Sequence, residues 1–266
     1  MKSVLFFVGY TLLIMLFGIG CKEVTEYKEK NTINFEQFDS LKKQSQIAKG
    51  ITILDSVFDI ELNSYPIVKI GKQIWFAQNL RTTKYNDGQK IDEISDNDTW
   101  SKINKGATTT YPNLNDTDSL KIYGKLYNWK AVETKKLCPK GWHVPSISEW
   151  DTLELFLSKN LYAYEDGNFE IAQSLVSTNG WCTAENLASP GFVNGIKNTS
   201  GFNAFPAGSR SASGSFYYIW QSANFWTSTE YDKDEAHFRQ LFYFTTKLAK
   251  NRNPKNLGMS IRCVKD

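Results

Sequence analysis

The stretch LCPKGWHVPSISEWDTL, residues 137–153, constrains the fold more than any other part of the chain, because it predicts a short strand joined directly to a helix. The strand is GWHV, and it ends at Pro145 because proline has no N–H to donate to a strand ladder. Ser146 and Glu149 follow with the S-x-x-E spacing of a capping box, which satisfies unpaired N–H groups of a first helical turn. A helix is therefore expected directly after Ser146.

The residues of this stretch fall almost entirely into structural tasks. Apolar residues recur along the expected helix at spacings of three, three and four, at Ile147, Trp150, Leu153 and Leu157. Such a stripe is typical of a helix that packs on a sheet. His143 alone has no structural task, and a general base is one interpretation of it. A histidine on a short strand is more often a hydrogen-bonding structural residue, and we expect this of both His143 and His237.

The N-terminus predicts export. A single Lys2 precedes an apolar run from Val4 to Gly20, which is typical of a secretory signal rather than of a fold element. Cys21 after Gly-Ile-Gly resembles the lipobox of bacterial lipoproteins, although Gly18 stands where that family usually has Leu. We therefore expect a signal peptide at 1–20 and a lipid on Cys21 that binds the membrane. Plain secretion and an uncleaved anchor are the alternatives.

The residues after Cys21 predict display at the cell surface. The segment 21–50 is polar and charged, which favours a tether that holds the domain off the membrane. Its opening Lys-Glu resembles the surface-export signal of Bacteroidetes lipoproteins. We therefore expect an outer membrane lipoprotein that is exposed to the outside.

Three cysteines remain once Cys21 is assigned to lipid, an odd number in an oxidising compartment. Strand alternation in GMSIRCVKD turns Cys263 inward, where it could meet Cys138 at the start of the GWHV strand. A disulfide between them closes a loop of about 125 residues and stabilises the fold by up to roughly 4–5 kcal/mol in the chain-entropy model. Cys182 is then expected to stay a free thiol.

The remaining pattern is one of short strands and frequent turns. YPIVKIGKQIWFAQNL predicts a hairpin that turns at Gly71–Lys72, and a further turn is expected at Asn86–Gly88. Residues 92–118 are polar and are expected to form a long loop. The spacing of three from Tyr123 through Leu126 and Trp129 to Val132 predicts a short helix over Leu126–Val132. AHFRQLFYFTT predicts a strand with aromatic residues on both faces.

With these pieces in hand, the chain resembles the Fibrobacter succinogenes major paralogous domain family. The resemblance rests on the stretch 137–153 together with VKIGKQIWFAQNLRTTKYNDG, YGKLYNWKAV, SGFNAFPAGSR, FWTSTEY and GMSIRCVKD, in the order that the family has. It implies a domain over 51–266 with a C-type-lectin-like α+β fold of twisted antiparallel strands, a few short helices and long irregular loops. Because members are cell-surface or secreted proteins, it also implies binding more than a reaction.

In that fold the segment before the closing strand usually forms the ligand face, which here corresponds to Phe216–Arg252. Aromatic rings near acids and amides suit recognition of a sugar or a protein. We expect the ligand contacts to include five residues of this segment: Trp220, Tyr231, Asp232, Arg239 and Tyr243. The alternative is that aromatic residues such as Trp226 and Tyr231 belong to the core.

These observations predict a binding protein for a glycan or a cell-envelope protein. A structural or assembly component of a surface or fimbrial complex is the alternative, and an enzyme acting on surface polymers is a third class. The net charge of +3 is not clustered, so nucleic acid is not an expected partner. No cofactor is expected. Loops at Asp92–Asp98 and Asn113–Asp118 offer oxygen ligands for Ca²⁺, with solvated turns as the alternative interpretation.

Overall fold

The computed structural model describes residues 50–160 and 171–266. The predicted signal peptide at 1–20, the lipid on Cys21 and the tether up to residue 49 lie outside the described residues. The described part is a mixed α+β structure made mostly of strands, as predicted, with five short helices. No helix among these residues is both long and apolar enough to span a membrane.

Thirteen strands and five helices alternate along the described ranges. The strands are β1 Ile51–Phe58, β2 Ser64–Ile70, β3 Gln73–Phe76, β4 Asp92–Glu93, β5 Ala107–Thr109, β6 Leu126–Tyr127, β7 Trp142–His143, β8 Ala207–Arg210, β9 Phe216–Ile219, β10 Ser222–Glu230, β11 Glu235–Phe242, β12 Ala249–Pro254 and β13 Val264–Lys265. The helices are α1 Asn97–Lys102, α2 Thr117–Tyr123, α3 Trp129–Glu133, α4 Ile147–Lys159 and α5 Ala172–Leu175.

The first sheet has the order β1-β2-β3-β13-β7 and is antiparallel throughout. Ile70 pairs with Gln73, so the predicted β2–β3 hairpin and its turn at Gly71–Lys72 are confirmed. The late strand β13 lies between β3 and β7, because Val264 pairs with both Trp75 and His143. Segments from opposite ends of the domain therefore share one sheet.

The second sheet has the order β12-β11-β10-β8-β9. Its centre is the long β10–β11 hairpin, which confirms the strand predicted from AHFRQLFYFTT. A small third sheet has the order β4-β5-β6.

Helix α4 packs where the two large sheets meet. Its capping box is confirmed: Glu149 N donates to Ser146 Oγ at 3.3 Å, and Ser146 N donates to Glu149 Oε2 at 2.8 Å. The Trp150 ring lies 4.9 Å from that of Trp75 in the first sheet and 5.5 Å from that of Phe225 in the second. The apolar stripe thus joins both sheets in one buried cluster.

The region 92–118 is not one long loop. It contains β4, α1, β5 and the start of α2, because Asp96 and Asp116 cap the two helices and Trp100 is fully buried. The helix predicted over Leu126–Val132 is also wrong at its start. Asn128 ends strand β6 and caps α3 instead, since its side-chain oxygen accepts from the backbone N–H of both Ala107 and Ala131.

The Cys138–Cys263 disulfide is confirmed, with Cα atoms 6.0 Å apart. The prediction of a free thiol at Cys182 is wrong, because Cys182 is disulfide-bonded and no described cysteine is free. The other cysteine of the sequence, Cys21, lies outside the described residues.

Candidate ligand-binding surface

The β10–β11 hairpin separates the residues that were expected to share one ligand face. Trp220 and Tyr243 flank its open end, where Tyr243 N donates to the carbonyl of Gln221 at 2.8 Å. Tyr231 and Asp232 lie at its turn. At about 3.3 Å per residue, the strands put roughly 25 Å between the two ends. The four residues therefore cannot contact one small ligand together.

Arg239 lies in the interior, with only 1% of its surface exposed. From β11 its guanidinium reaches helix α4, donating to Asp151 Oδ1 at 2.8 Å and pairing with Glu154. A further N–H donates to the carbonyl of Leu248 at 3.1 Å. This side chain ties the helix to the second sheet rather than facing a ligand.

At the turn, Tyr231 and Asp232 are both exposed and both engaged by neighbours. The Arg252 guanidinium lies 4.0 Å from the Tyr231 ring centre, and the His237 ring meets Tyr231 edge-on at 5.4 Å. The Asp232 carboxylate accepts from the backbone N–H of residues 234 and 235. These hydrogen bonds lower the pKa of Asp232, which acts as a turn residue here.

Trp220 is half-buried and faces inward. Its indole N–H donates to the hydroxyl of Tyr123 at 3.2 Å, which fastens the β9–β10 connection to helix α2. The ring packs against a small apolar cluster that includes Phe205 and Leu114. Trp220 therefore positions a turn more than it presents a ring to solvent.

Next to Trp220 the structure brings five aromatic rings together at the surface. This aromatic patch consists of Tyr217, Tyr218, Phe242, Tyr243 and Phe244. Neighbouring ring centres lie 4.9 to 6.1 Å apart. Exposure of Tyr217, Tyr218 and Phe244 is 48%, 51% and 48%, which is unusual for large aromatic side chains packed side by side. Of the five, only Tyr243 is among the predicted ligand contacts.

The backbone under the patch is held in an unfavourable conformation. Tyr218 and Trp220 have φ angles of 60° and 65°, in the left-handed region that bulky residues avoid. Each such residue costs on the order of 1 kcal/mol or more. Hydrogen bonds on both sides hold the turn in place: Trp220 N donates to Pro206 O at 2.9 Å and its carbonyl accepts from Cys182 N at 2.7 Å.

The loop that contains Asn186 and Gly191 borders the patch. Gly191 N donates to the carbonyl of Tyr243 at 2.7 Å, and the Asn186 side chain donates to the carbonyl of Phe244 at 3.4 Å. A Cβ at Gly191 would lie 2.7 Å from the Tyr243 oxygen, so this close approach requires glycine. Leu187 on the same loop is 54% exposed and extends the apolar surface.

The hydrogen-bonding role expected of His143 is confirmed. Its Nδ1 lies 2.6 Å from Asp266 Oδ1, and its Nε2 lies 2.8 Å from Glu149 Oε1. Partial burial alone would lower the pKa of His143, but the hydrogen bonds to the two carboxylates outweigh it and raise this pKa above its usual value. With both ring nitrogens engaged, the imidazole links strand β7 to the capped end of α4.

In the acidic loops considered for Ca²⁺, carboxylates are bound by nearby groups of the protein. Asp96 and Asp116 cap helices, and Asp92 pairs with Lys105 at 2.6 Å. Within residues 50–160 and 171–266, no three acidic, histidine or cysteine side chains converge as a metal site.

Comparison with known proteins gives one match. The family model described as Fibrobacter succinogenes major domain matches residues 68–265, which is most of the chain. No curated protein and no solved structure matches.

Proposed function

The chain belongs to the Fibrobacter succinogenes major domain family, and we propose that it is a binding protein that recognises a glycan or protein ligand. Its C-type-lectin-like domain makes this contact through the aromatic patch. A lipid on Cys21 anchors the protein to the outer membrane, with the domain on the outside of the cell.

The observation that carries this proposal is the exposure of the aromatic patch on a strained turn. Five adjacent rings offer a large apolar area, and three tyrosines among them add hydroxyl groups for directed hydrogen bonds. Such patches on soluble domains mark interaction sites. The left-handed backbone at Tyr218 and Trp220 supports the same assignment, because strain of this kind collects at functional sites.

A role as an assembly component of a surface complex is the second candidate, and the ring geometry favours it. The rings of the patch are tilted by 41° to 88° against one another, so they do not form a flat platform for a run of sugars. A corrugated aromatic surface beside the exposed Leu187 suits the side chains of a protein partner.

The ligand proposal is tested with the purified full chain on a glycan array and in a pull-down from a cell-envelope extract. Tyr218→Ala and Phe244→Ala change the patch, and Tyr231→Ala is the matched control, because Tyr231 is equally exposed at the far end of the hairpin. We expect binding to be lost in the patch variants and kept in the control, with circular dichroism unchanged. Glycan binding supports the first candidate, and capture of one envelope protein supports the second. Patch variants that bind like the wild type contradict both.

The anchor is tested by mass spectrometry of the peptide that contains Cys21, with Cys21→Ser as control. A lipid mass on Cys21 and cleavage after residue 20 are expected, together with protease sensitivity of the domain on intact cells. A disulfide between Cys21 and Cys182 in the mature protein would overturn this proposal, because one sulfur cannot carry both the thioether and the disulfide.

A further inference from the structure

A concave surface, separate from the aromatic patch, lies beside helix α2. This charged cleft has a volume of about 610 Å³, which is within the usual range for small-ligand sites. The β1–β2 loop, the segment after β3 and helix α2 form its walls. Besides Glu61 and Thr117, its polar lining residues are Asn63, Ser64, Arg81, Thr83, Lys121 and Lys125.

The cleft is lined by more basic than acidic residues. Arg81, Lys121 and Lys125 line it, and Glu61 is the one acid among the described lining residues. The Glu61 carboxylate is already bound by the wall, since it accepts from Thr83 N at 2.6 Å, from Thr83 Oγ1 at 2.6 Å and from Thr82 Oγ1 at 3.0 Å. Burial alone would raise the pKa of Glu61, but these hydrogen bonds outweigh it and lower the pKa, so Glu61 is ionised and shapes the floor.

Arg81 is held in a fixed orientation. Its guanidinium lies 4.6 Å from the ring centre of the buried Tyr65, and donates to the carbonyl of Ser64 at 2.8 Å and to Gln78 Oε1 at 3.3 Å. A guanidinium has five N–H donors, and these two partners use two of them. A planar fork fixed in this way is suited to a carboxylate, which it binds through two parallel hydrogen bonds.

Lys125 lines the cleft, but its charge is already paired. It is 5% exposed, and its ammonium group donates to Glu93 Oε1 at 2.5 Å and to Thr110 Oγ1 at 3.1 Å. Lys121 lies on helix α2, 3.7 Å from Asp118 at the surface. Thr83, Ser64 and Asn63 are among the polar lining residues, and Leu62 and Leu120 add apolar surface.

We infer that the charged cleft binds a saccharide unit that carries a carboxylate. The carboxylate pairs with the Arg81 fork, beside Lys121 on the helix α2 wall, and the sugar hydroxyls meet the hydroxyl and amide groups of the walls. A cleft of this size holds one or two sugar rings. This site is separate from the aromatic patch and does not depend on the ligand proposed there.

The test is isothermal titration of the full chain with glucuronate, galacturonate and N-acetylneuraminate, beside glucose and inorganic phosphate. We expect millimolar or tighter binding of at least one carboxylate sugar, weakening as salt is added, and none of glucose. Arg81→Lys keeps the charge but loses the fork, and should weaken binding about tenfold. Lys121→Gln, on an exposed helix face, should weaken it about threefold, and Lys102→Gln on helix α1 is the control outside the cleft.

Each other result overturns the inference. Carboxylate sugars that do not bind at millimolar concentration rule out the site, as does equal binding of glucose. Phosphate that binds as tightly as the sugars shows a general anion site instead. If Arg81→Lys does not fold, Lys121→Gln provides the test. Binding of carboxylate sugars that is unchanged in this variant contradicts the inference. Tyr218→Ala should leave this binding intact, which separates it from the aromatic patch.

Discussion

Arg262 Nε donates a hydrogen bond of 2.8 Å to the side-chain oxygen of Asn79, across 183 residues of sequence. The remaining hydrogen bonds of this buried guanidinium go to the carbonyls of Phe76, Phe202 and Asn203, at 2.8, 2.6 and 2.9 Å. Burial lowers the pKa of Arg262 to about 9, so it keeps its charge at neutral pH. Carbonyl and amide dipoles, rather than a carboxylate, therefore compensate this buried cation.

Replacing this side chain should destabilise the fold strongly. Arg262→Met leaves three carbonyl groups and Asn79 without their partner, and we expect the free energy of unfolding to fall by about 3 kcal/mol or more. Denaturant unfolding measures this. Arg252→Met, at an exposed arginine, should cost less than about 1 kcal/mol. Equal losses in the two variants would contradict the role given to Arg262.

Arg239 should matter for stability and not for ligand binding. Arg239→Met leaves Glu154 without this partner and Asp151 with Lys250 alone, and we expect a loss of about 1–3 kcal/mol, reduced by water because both acids are partly exposed. Lys250→Met is the matched control, since Lys250 pairs with the same Asp151 at 2.9 Å but on the surface. Loss of ligand binding without loss of stability would restore Arg239 as a contact residue.

The His143 link should make stability depend on pH. Because the pKa of His143 is raised in the folded state, its contribution is complete below about pH 6.5 and is lost as the pH rises through the folded value. The pKa of Glu149 is lowered by the Ser146 and His143 hydrogen bonds, which outweigh burial, so its contribution is lost as the pH falls below about 4.5. His143→Gln should therefore lower the thermal midpoint most at about pH 5.5.

Thermal unfolding of His143→Gln and the wild type at about pH 5.5 and about pH 9 checks this. The difference between them should shrink at the higher pH. His237→Gln is the control, because that ring contacts Tyr231 instead. A difference that is the same at both pH values would argue against a charged His143.

The Cys138–Cys263 disulfide spans 125 residues. Removing it in the double variant Cys138→Ala/Cys263→Ala should lower the free energy of unfolding by up to about 4–5 kcal/mol, because the unfolded chain gains entropy. Denaturant unfolding of the double variant and the wild type under oxidising conditions measures this. A double variant as stable as the wild type would show that packing alone holds β7 and β13 together.

Local signals made much of this fold predictable. The capping box of α4 needs only Ser146 and Glu149, and the β2–β3 turn needs only Gly71 and Lys72, since each device depends on neighbours in sequence. Region 92–118 was harder, because a single buried Trp100 anchors helix α1 among polar residues. A helix that is held by one buried side chain has no repeating apolar pattern in its sequence.

The aromatic patch is predictable from the sequence only in part. Tyr243 lies in the aromatic patch, but the rings around it come from β9 and from the end of β11, and their convergence depends on how the second sheet curls. Arg239 shows the same limit, since a charged residue in an alternating strand gives no sign that helix α4 supplies its acids. Whether such a side chain is buried depends on partners that are distant in the sequence.

The residues by which the family was recognised are mostly interior. Trp75, Asn79, Trp129, Trp226 and Arg262, each from one of the matching stretches, are all buried. These motifs therefore specify mainly a scaffold, and the aromatic patch belongs to segments around it, whereas Arg81, Thr83 and Lys125 of the charged cleft lie within the motifs. Relatives with the same motifs can bind different ligands.

The position of β13 also sets the order of events in folding. Strand β13 pairs with both β3 and β7 through Val264, so the order of the first sheet is completed only when this late strand is added. Pairings of such long range make folding slow. Slow completion of the sheet agrees with the proposed export, because a secretion channel accepts chains before they fold.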